Sequence, residues 1–570
     1  MDKQTLSYID QFIQNRRYAE EILYETDIRQ RKVSQLSGGT ALLERLKDAM
    51  LREEPVTVYG DYDADGIMAT YILYDGLSHL RPGKISWFIN DRFEDGYGIT
   101  VSSIQKCLAL HPGTRVIITC DNGINAAEAV DYAMQQGITV LVTDHHVQTI
   151  PLREDCPAVD EKSIRQMQQD ADDGTVPEEF CGAELARRVV EGLYEVLQIR
   201  PERAGDFLES LYAFSAFATI TDSVPMNASN HAVGRRGLDI IRRREGFWRL
   251  LREEYPDAGR EMHWDTISFY YGPLINAAGR ISGSADCAMR MLLASSAGDE
   301  WACRQAIREL VHLNEQRKGL CAYNDAIAFS IIEQQGLQND PFILVYDDRF
   351  SEGVNGLTAT HITSRYHVPS AVLSPVRNTP GEFKGSARSV EGCSLVRMFL
   401  SHPDVIRAGG HAMAAGLSVK REDLEQVREL LIKDMEGFAA PPEPTPDFVY
   451  DIPGLHLQIA DWHRQLITDL EPFGPGFEEP RIEFRGTVWK LWEKKKKNSD
   501  ELVHATFPMG RSADGYSIQA NWWQHLAEAR EWFREGREMR CVGKVERNEY
   551  VDRYDNRKVS LQITIDHLLE

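Results

Sequence analysis

Between residues 55 and 225, turns rich in aspartate and histidine recur behind short apolar runs, and this recurrence narrows the fold more than any other feature. Pro55-Val-Thr-Val-Tyr59 runs into Gly60-Asp61-Tyr-Asp63-Ala-Asp65-Gly66. Val116–Cys120 runs into Asp121-Asn122-Gly123, and Thr139–Thr143 into Asp144-His145-His146. Thr221-Asp222-Ser-Val-Pro225 follows an apolar segment of helical spacing. Short β-rich runs separated by helical stretches such as 66–80 and 124–136 imply a parallel sheet with right-handed crossovers. Ligands of such sheets bind outside the carboxyl ends of the strands, which is where these turns fall. One Asp behind a strand usually caps a helix. Four sites built from carboxylates and imidazoles are hard to explain as caps.

Carboxylates converging in one crevice repel one another unless cations neutralise them. Their mixture with imidazole suits Mn²⁺ or Mg²⁺ rather than a thiolate zinc site, and no EF-hand-like loop suggests calcium. Two such ions, roughly 3.5–4 Å apart, can activate a water and steady the charge on a phosphoryl group.

At 570 residues the chain is too long for one hydrophobic core. Residues 1–50 read as helical, with Leu6, Ile9, Phe12 and Ile13 at helical spacing. A parallel-sheet domain is expected over 51–255, with an acidic, Gln-rich exposed insertion at 164–177. A helical connector over 256–338 contains one long helical stretch from about 285 to 335. A smaller α/β domain follows over 339–438. The proline-rich run 440–446 is a rigid linker, and short β runs over 447–570 suit a small barrel. The overall class is α/β, multidomain. Apolar runs such as Val116–Thr119 are too short to span a bilayer, and the N-terminus carries no signal-peptide core, so a cytoplasmic protein is expected. The nine cysteines form no CxxC pair and read as buried thiols. Net charge is −23, from 87 acids against 64 Lys and Arg, so any nucleic-acid contact has to come from a local basic groove. The acidic surface leaves room for a protein partner; a monomer is expected.

Asp-Tyr-Asp-Ala-Asp-Gly, Cys-Asp-Asn-Gly, Asp-His-His and Thr-Asp-Ser-Val-Pro, in this order, resemble the four motifs of the DHH phosphoesterase superfamily. The resemblance implies that Asp63 and Asp121 hold one ion and that Asp65, Asp121, His145 and Asp222 hold the other. Asp121 bridges them, and Asp61 is an alternative ligand. It implies that His146 faces the scissile phosphate and that Asp144 orients the histidines. Some members carry a histidine where this chain has Tyr59.

Later segments resemble the RecJ-like exonucleases of that superfamily. They are Asn90-Asp-Arg92-Phe-Glu-Asp-Gly96-Tyr-Gly98, Pro273-Leu-Ile-Asn276-Ala-Ala-Gly279-Arg280, Gly385-Ser386-Ala-Arg388-Ser389, Gly409-Gly410-His411 and Glu471-Pro-Phe-Gly474-Pro-Gly476. The likeness implies a DHH domain, a DHHA1 domain beyond the connector and a C-terminal OB-fold. Arg92, Asn276, Arg280, Ser386, Arg388, Ser389, Gly409, Gly410 and His411 would then surround the terminal phosphate, with Arg as bidentate donor. Where relatives have His-x-Gly-Val-x-Gly, this chain has Ser351-Glu352-Gly353-Val354-Asn355-Gly356. Trp489, Trp492, Trp522 and Trp523, with Lys494–Lys497, are candidates for a single-strand surface on the barrel; taken singly, the tryptophans read better as core. The expected function is Mn²⁺- or Mg²⁺-dependent 5′→3′ hydrolysis of single-stranded DNA. The alternatives are a phosphodiesterase for short oligonucleotides or cyclic dinucleotides, and a non-catalytic single-strand scaffold.

Overall fold

The computed structural model describes residues 3–16, 18–24, 30–81, 83–96, 98–173, 178–243, 246–256, 262–376, 379–439, 445–495, 502–523, 525–551 and 557–569. Strands β1 (Val56–Gly60), β2 (Ile85–Ile89), β3 (Val116–Thr119), β4 (Thr139–Thr143) and β5 (Ala158–Val159) form one parallel sheet in the order β2-β1-β3-β4-β5. Strands β1 and β3 are buried along their whole length, as uninterrupted apolar runs covered on both faces must be. From β1 the chain goes first to one side, to β2, and then crosses to β3 on the other. The crevice between the carboxyl ends of β1 and β3 is therefore the ligand-binding switch point of this sheet.

Behind β1, helix Ala64–Leu80 is buried on nearly every side and packs against helix Gly182–Val196. A buried ion cluster pins the second helix. Glu184 accepts from Arg187 Nε and Nη2 and from Arg188 Nε, each at 2.7 Å, and from Ser215 Oγ at 2.6 Å. The expected exposed insertion is instead largely a helix, Ile164–Asp173, part of which is buried. Gln166 accepts from Ser37 N at 2.7 Å and Asp170 pairs with Arg31 at 2.7 Å, which ties the acidic segment down. Its residues 174–177 lie outside the described residues.

The connector is interrupted where one long stretch was expected. Helices Asp286–Ser296 and Glu300–Gln335 are separated at Ala297-Gly298-Asp299. Gly298 has φ 72°, and Asp299 caps the second helix by accepting from Ala302 N at 3.0 Å. That helix has 36 residues, about 54 Å at ~1.5 Å per residue, and leads into the second α/β domain. There β6 (Ile343–Tyr346), β7 (Ser370–Pro375), β8 (Glu382–Arg388), β9 (Arg407–Gly410) and β10 (Ala414–Lys420) lie in the order β6-β7-β8-β10-β9. Only β6 and β7 are parallel.

Most of the proline-rich run lies outside the described residues. Beyond it come β11 (Phe448–Asp451), β12 (Ile482–Val488), β13 (Trp492–Lys495), β14 (Leu502–Arg511), β15 (Ser517–Trp522), β16 (Arg537–Val551) and β17 (Arg557–Leu569). Their order is β11-β12-β16-β17-β15-β14-β13. Register shifts at Lys494/Lys495, Pro508/Arg511 and Val542/Gly543 bend the strands around a core of Phe484, Phe507, Ile518, Cys541 and Ile563.

The first fifty residues divide between two cores. Helix Lys3–Asn15 lays Ile9 and Phe12 into the C-terminal domain, with Phe12 edge-on to Phe477 at 5.9 Å and Arg16 bridging Asp447 at 2.8 Å. Helix Gly39–Leu51 puts Leu42, Leu43 and Leu46 into the core of the first sheet. All nine cysteines are free and buried. Among the described residues no helix is long and apolar enough to cross a membrane.

Candidate metal centre and anion pocket

The acidic turns converge at the β1/β3 crevice. Asp63 caps helix Ala64–Leu80, its Oδ1 accepting from Gly66 N at 3.0 Å. Asp61 is buried, and its Oδ1 accepts from Tyr62 N at 2.9 Å. Asp65 is also buried and accepts from Gly182 N at 2.6 Å and Ala183 N at 2.7 Å, so the amino end of the second helix orients it. Asp121 has φ 59° and Ser223, beside Asp222, φ 57°. Both belong to the left-handed region that L-residues seldom adopt, and such strain gathers at functional sites. His145 Nε2 lies 3.0 Å from Asp121 Oδ1, 3.6 Å from Asp65 Oδ2 and 3.8 Å from Asp222 Oδ2.

Two sets of donors result. Asp61, Asp63 and Asp121 bring one oxygen each within 4.8 Å of one another, and so do the ligand atoms of Asp65, His145 and Asp222. Asp121 also groups with His145 and His146. The geometry places Asp61 beside Asp63, where the motif alone left a choice between Asp61 and Asp65. Tyr59 turns away: its phenol is hydrogen-bonded to Asn90 and Ser103 in the apolar layer behind the site.

These residues fit divalent cations. Burial first, and neighbouring carboxylates second, push Asp61, Asp65, Asp121 and Asp222 all upward. Asp121 Oδ1 is buried with no hydrogen-bond partner among the described residues. An all-oxygen and imidazole set with an orphaned carboxylate oxygen at its centre calls for hard positive charge.

His146 joins the same cluster, beside Asp121 and His145. Its Nδ1 donates to Asp144 Oδ1 at 2.7 Å, and Asp144 also accepts from Ile124 N at 2.9 Å. Burial disfavours the imidazolium, but Asp144, and then Asp222 and Asp61, outweigh it and raise His146 to about 10. Its ring stacks at 5.9 Å on that of His411 from the second domain.

Beyond Tyr62 the charge inverts. Arg92 lies over the Tyr62 ring at 5.4 Å. Burial, followed by Arg92 and Arg388, pushes Arg280 down to about 9, and burial with Arg92 lowers Arg388. None of the three has an ion-pair partner among the described residues. Ser386 and Arg388, two apart on β8, both border Gly356. Gly353 admits no side chain, because a β-carbon there would meet the Arg280 carbonyl oxygen at 2.0 Å. Gly409 and Gly410 are exposed on edge strand β9, with Gly410 at φ 132°.

Two of the expected phosphate contacts are engaged elsewhere. Ser389 Oγ donates to the Cys393 carbonyl at 2.7 Å inside a turn, and Asn276 Oδ1 accepts from Ala64 N at 2.8 Å. Asn276 thus positions the helix behind the first acidic turn. A further acidic strand end, not expected from the sequence, is Asp160-Glu161-Lys162 behind the two-residue strand β5. Asp160 and Glu161 are buried, and Lys162 acts electrostatically on Asp222, His145 and His411. Two residues of strand are too short a run to have signalled it.

On the C-terminal domain Trp489, Trp492 and Trp523 are exposed and Trp522 is buried. Lys494 Nζ sits 5.8 Å from the Trp523 ring centre; Lys496 and Lys497 lie outside the described residues.

Residues 55–213 match the model of the DHH family, N-terminal domain, and residues 455–567 that of the RecJ OB domain. The single-stranded-DNA-specific exonuclease RecJ of Bacillus subtilis is 30% identical over 402 residues, 70% of this chain and 48% of that protein. The chain therefore aligns with about half the length of this relative. The protein of the same name from Salmonella typhimurium is 29% identical over 554 residues, 94% of this chain and 90% of its own. The fold matches the crystal structure of RecJ in complex with Mn²⁺ from Thermus thermophilus with a TM-score of 0.73, at 22% identity, over 99% of this chain and 78% of that one. The two family models, the relatives and the shared fold agree: the chain belongs to the RecJ branch of the DHH family.

Proposed function

We propose that this protein hydrolyses single-stranded DNA from its 5′ end, using Mn²⁺ or Mg²⁺. The observation that carries the reading is a donor set of carboxylates and imidazole with a cluster of arginines close by, the two joined at Tyr62, over which Arg92 lies while acting on Asp61. Carboxylates raised by burial and mutual repulsion stand on one side, and guanidinium groups lowered by burial and mutual repulsion on the other. A phosphodiester with cations on the first and its terminal phosphate on the second satisfies both.

Asp61, Asp63 and Asp121 would hold one ion and Asp65, His145, Asp222 and Asp121 the other. When bound, the ions neutralise the carboxylates, favour deprotonation of the attacking water and draw charge from the phosphorus. The protein's own groups supply the rest. His146, kept cationic by Asp144, offers a proton to a phosphoryl oxygen as negative charge builds there. Asp144 fixes which ring nitrogen faces the substrate. Arg280 and Arg388, with Ser386 Oγ and the amides of Gly409 and Gly410, bind the terminal phosphate. His411 stacks behind His146 and limits water around it. A terminal-phosphate pocket beside the metal centre restricts cleavage to the end of a strand. The C-terminal domain supports a long single strand over a dinucleotide, because Trp489, Trp492 and Trp523 offer exposed stacking faces.

Incubation with 5′- and 3′-labelled single strands, with and without Mn²⁺, tests this. Mononucleotide release from the 5′ label in Mn²⁺ alone is the expected result. Internal cutting, or release from the 3′ label first, would contradict it.

A further inference from the structure

The helix that carries Asn276 and Arg280 begins at Trp264 and passes through the π-helical turn Ile267–Tyr271. Its first end rests on the C-terminal domain. The Trp264 ring meets Phe473 edge-on at 5.9 Å, and the Trp264 amide donates to Glu471 Oε2 at 2.9 Å. Its middle closes on the Asp222 turn, where a β-carbon at Gly272 would come within 2.6 Å of Thr221 Cγ2. Its far end puts Arg280 in the anion pocket.

One accessible stripe follows this course. Phe269, Pro273, Asn276 and Arg280, at spacings of four, three and four, share a side of the helix. All four keep some exposure, whereas Leu274, Ile275, Ala277 and Ala278 are buried. Phe269 is 66% exposed and its neighbour Tyr270 43%. Trp264 holds the Phe269 ring by one edge contact, with ring centres 5.9 Å apart, and leaves most of it open to solvent. π-Helical turns are often kept at functional sites.

We propose that Phe269 is a stacking platform for a base of the single strand approaching the metal centre, a role that rests on the nuclease reading above. The occupant follows from the stripe itself, which leads from an aromatic face to a guanidinium pocket. A strand of alternating bases and phosphates meets both, and base–aromatic stacking tolerates any sequence.

The test compares wild type with Phe269→Ala, Phe269→Leu and Phe269→Tyr on a 5′-phosphorylated single strand in Mn²⁺, with circular dichroism to confirm folding. Phe269→Ala and Phe269→Leu should raise KM by roughly 5- to 20-fold with kcat within about twofold, and Phe269→Tyr should restore it, given stacking energies of this size. A strand carrying consecutive abasic sites near its 5′ end should raise the wild-type KM and leave that of Phe269→Ala nearly unchanged. Equal KM for all four proteins, or equal rescue by Leu and Tyr, would overturn the stacking role while leaving the nuclease intact. A wild type that neither binds nor cuts the strand would overturn the nuclease reading and this role with it.

Discussion

His146 Nδ1 lies 2.7 Å from Asp144 Oδ1, and Asp144 is buried and takes a further hydrogen bond from Ile124 N. The carboxylate therefore fixes the orientation of the ring and favours its protonated form. Asp144→Asn should lower kcat on a single strand about 10- to 100-fold with KM within about threefold, since orienting partners of site histidines carry effects of this size. A rise in KM with kcat unchanged would place His146 in ground-state binding instead.

Arg280 and Arg388, both half-buried, crowd each other, and both feel Arg92. An isolated cluster of cations is stabilised by an anion. Arg388→Ala should lower kcat/KM about 10-fold or more on a 5′-phosphorylated strand and little on the 5′-hydroxyl strand. Equal losses on both would show that the arginines grip the internal backbone rather than the end.

Glu184 joins two buried guanidiniums behind the site, and they bring it down to about 2 against the effect of burial. Without Glu184, Arg187 keeps only the half-exposed Glu191 at 3.1 Å and Arg188 only Glu178 at 2.7 Å, so the cost stays below the roughly 3–5 kcal/mol of a fully stranded buried charge. Glu184→Ala should lower the melting temperature by several degrees and weaken metal binding through Asp65, whose two amide donors begin the same helix. A melting temperature within a degree of wild type would contradict this.

His231, buried between the first domain and the C-terminal domain, donates from Nε2 to the Leu470 carbonyl at 2.8 Å and meets the edge of Phe477 at 5.2 Å. Burial pushes it down to about 4. The unfolded chain, titrating at about 6.5, takes up a proton first as pH falls. The contribution is therefore complete above about pH 6.5 and is lost as pH drops toward 4, amounting to about 3 kcal/mol. Thermal melts at pH 7.5 and 5 should show a steeper loss for wild type than for His231→Gln. Parallel losses would remove His231 from the acid response.

Three of the acidic turns were legible in the sequence because each lies behind a recognisable apolar strand, the fourth follows the helix Pro201–Thr221, and sheet topology brings the ends of β1 and β3 together. That Asp61 joins one donor set while Asp65 keeps its place in the other was not legible. It depends on Gly182 and Ala183, more than a hundred residues away, whose amides turn Asp65 toward His145. The docking of helix Lys3–Asn15 on the C-terminal domain was hidden for a similar reason: amphipathic spacing shows that Ile9 and Phe12 are buried but not against what. Ser389 looked like a phosphate donor by its place in a motif, but its hydroxyl is spent on a turn. Phe269 gave no sign, because an aromatic in an apolar segment reads as core until its exposure is seen.

On the proposed reading, separate turns of the first domain share one pair of cations through Asp121. Calorimetric titration of the metal-stripped protein with Mn²⁺ tests it directly, set beside the same titration of Asp121→Asn. Wild type should bind two ions, and the variant should lose both or bind them far more weakly. Wild type that takes up no ion, or a variant that binds Mn²⁺ as wild type does, would contradict it.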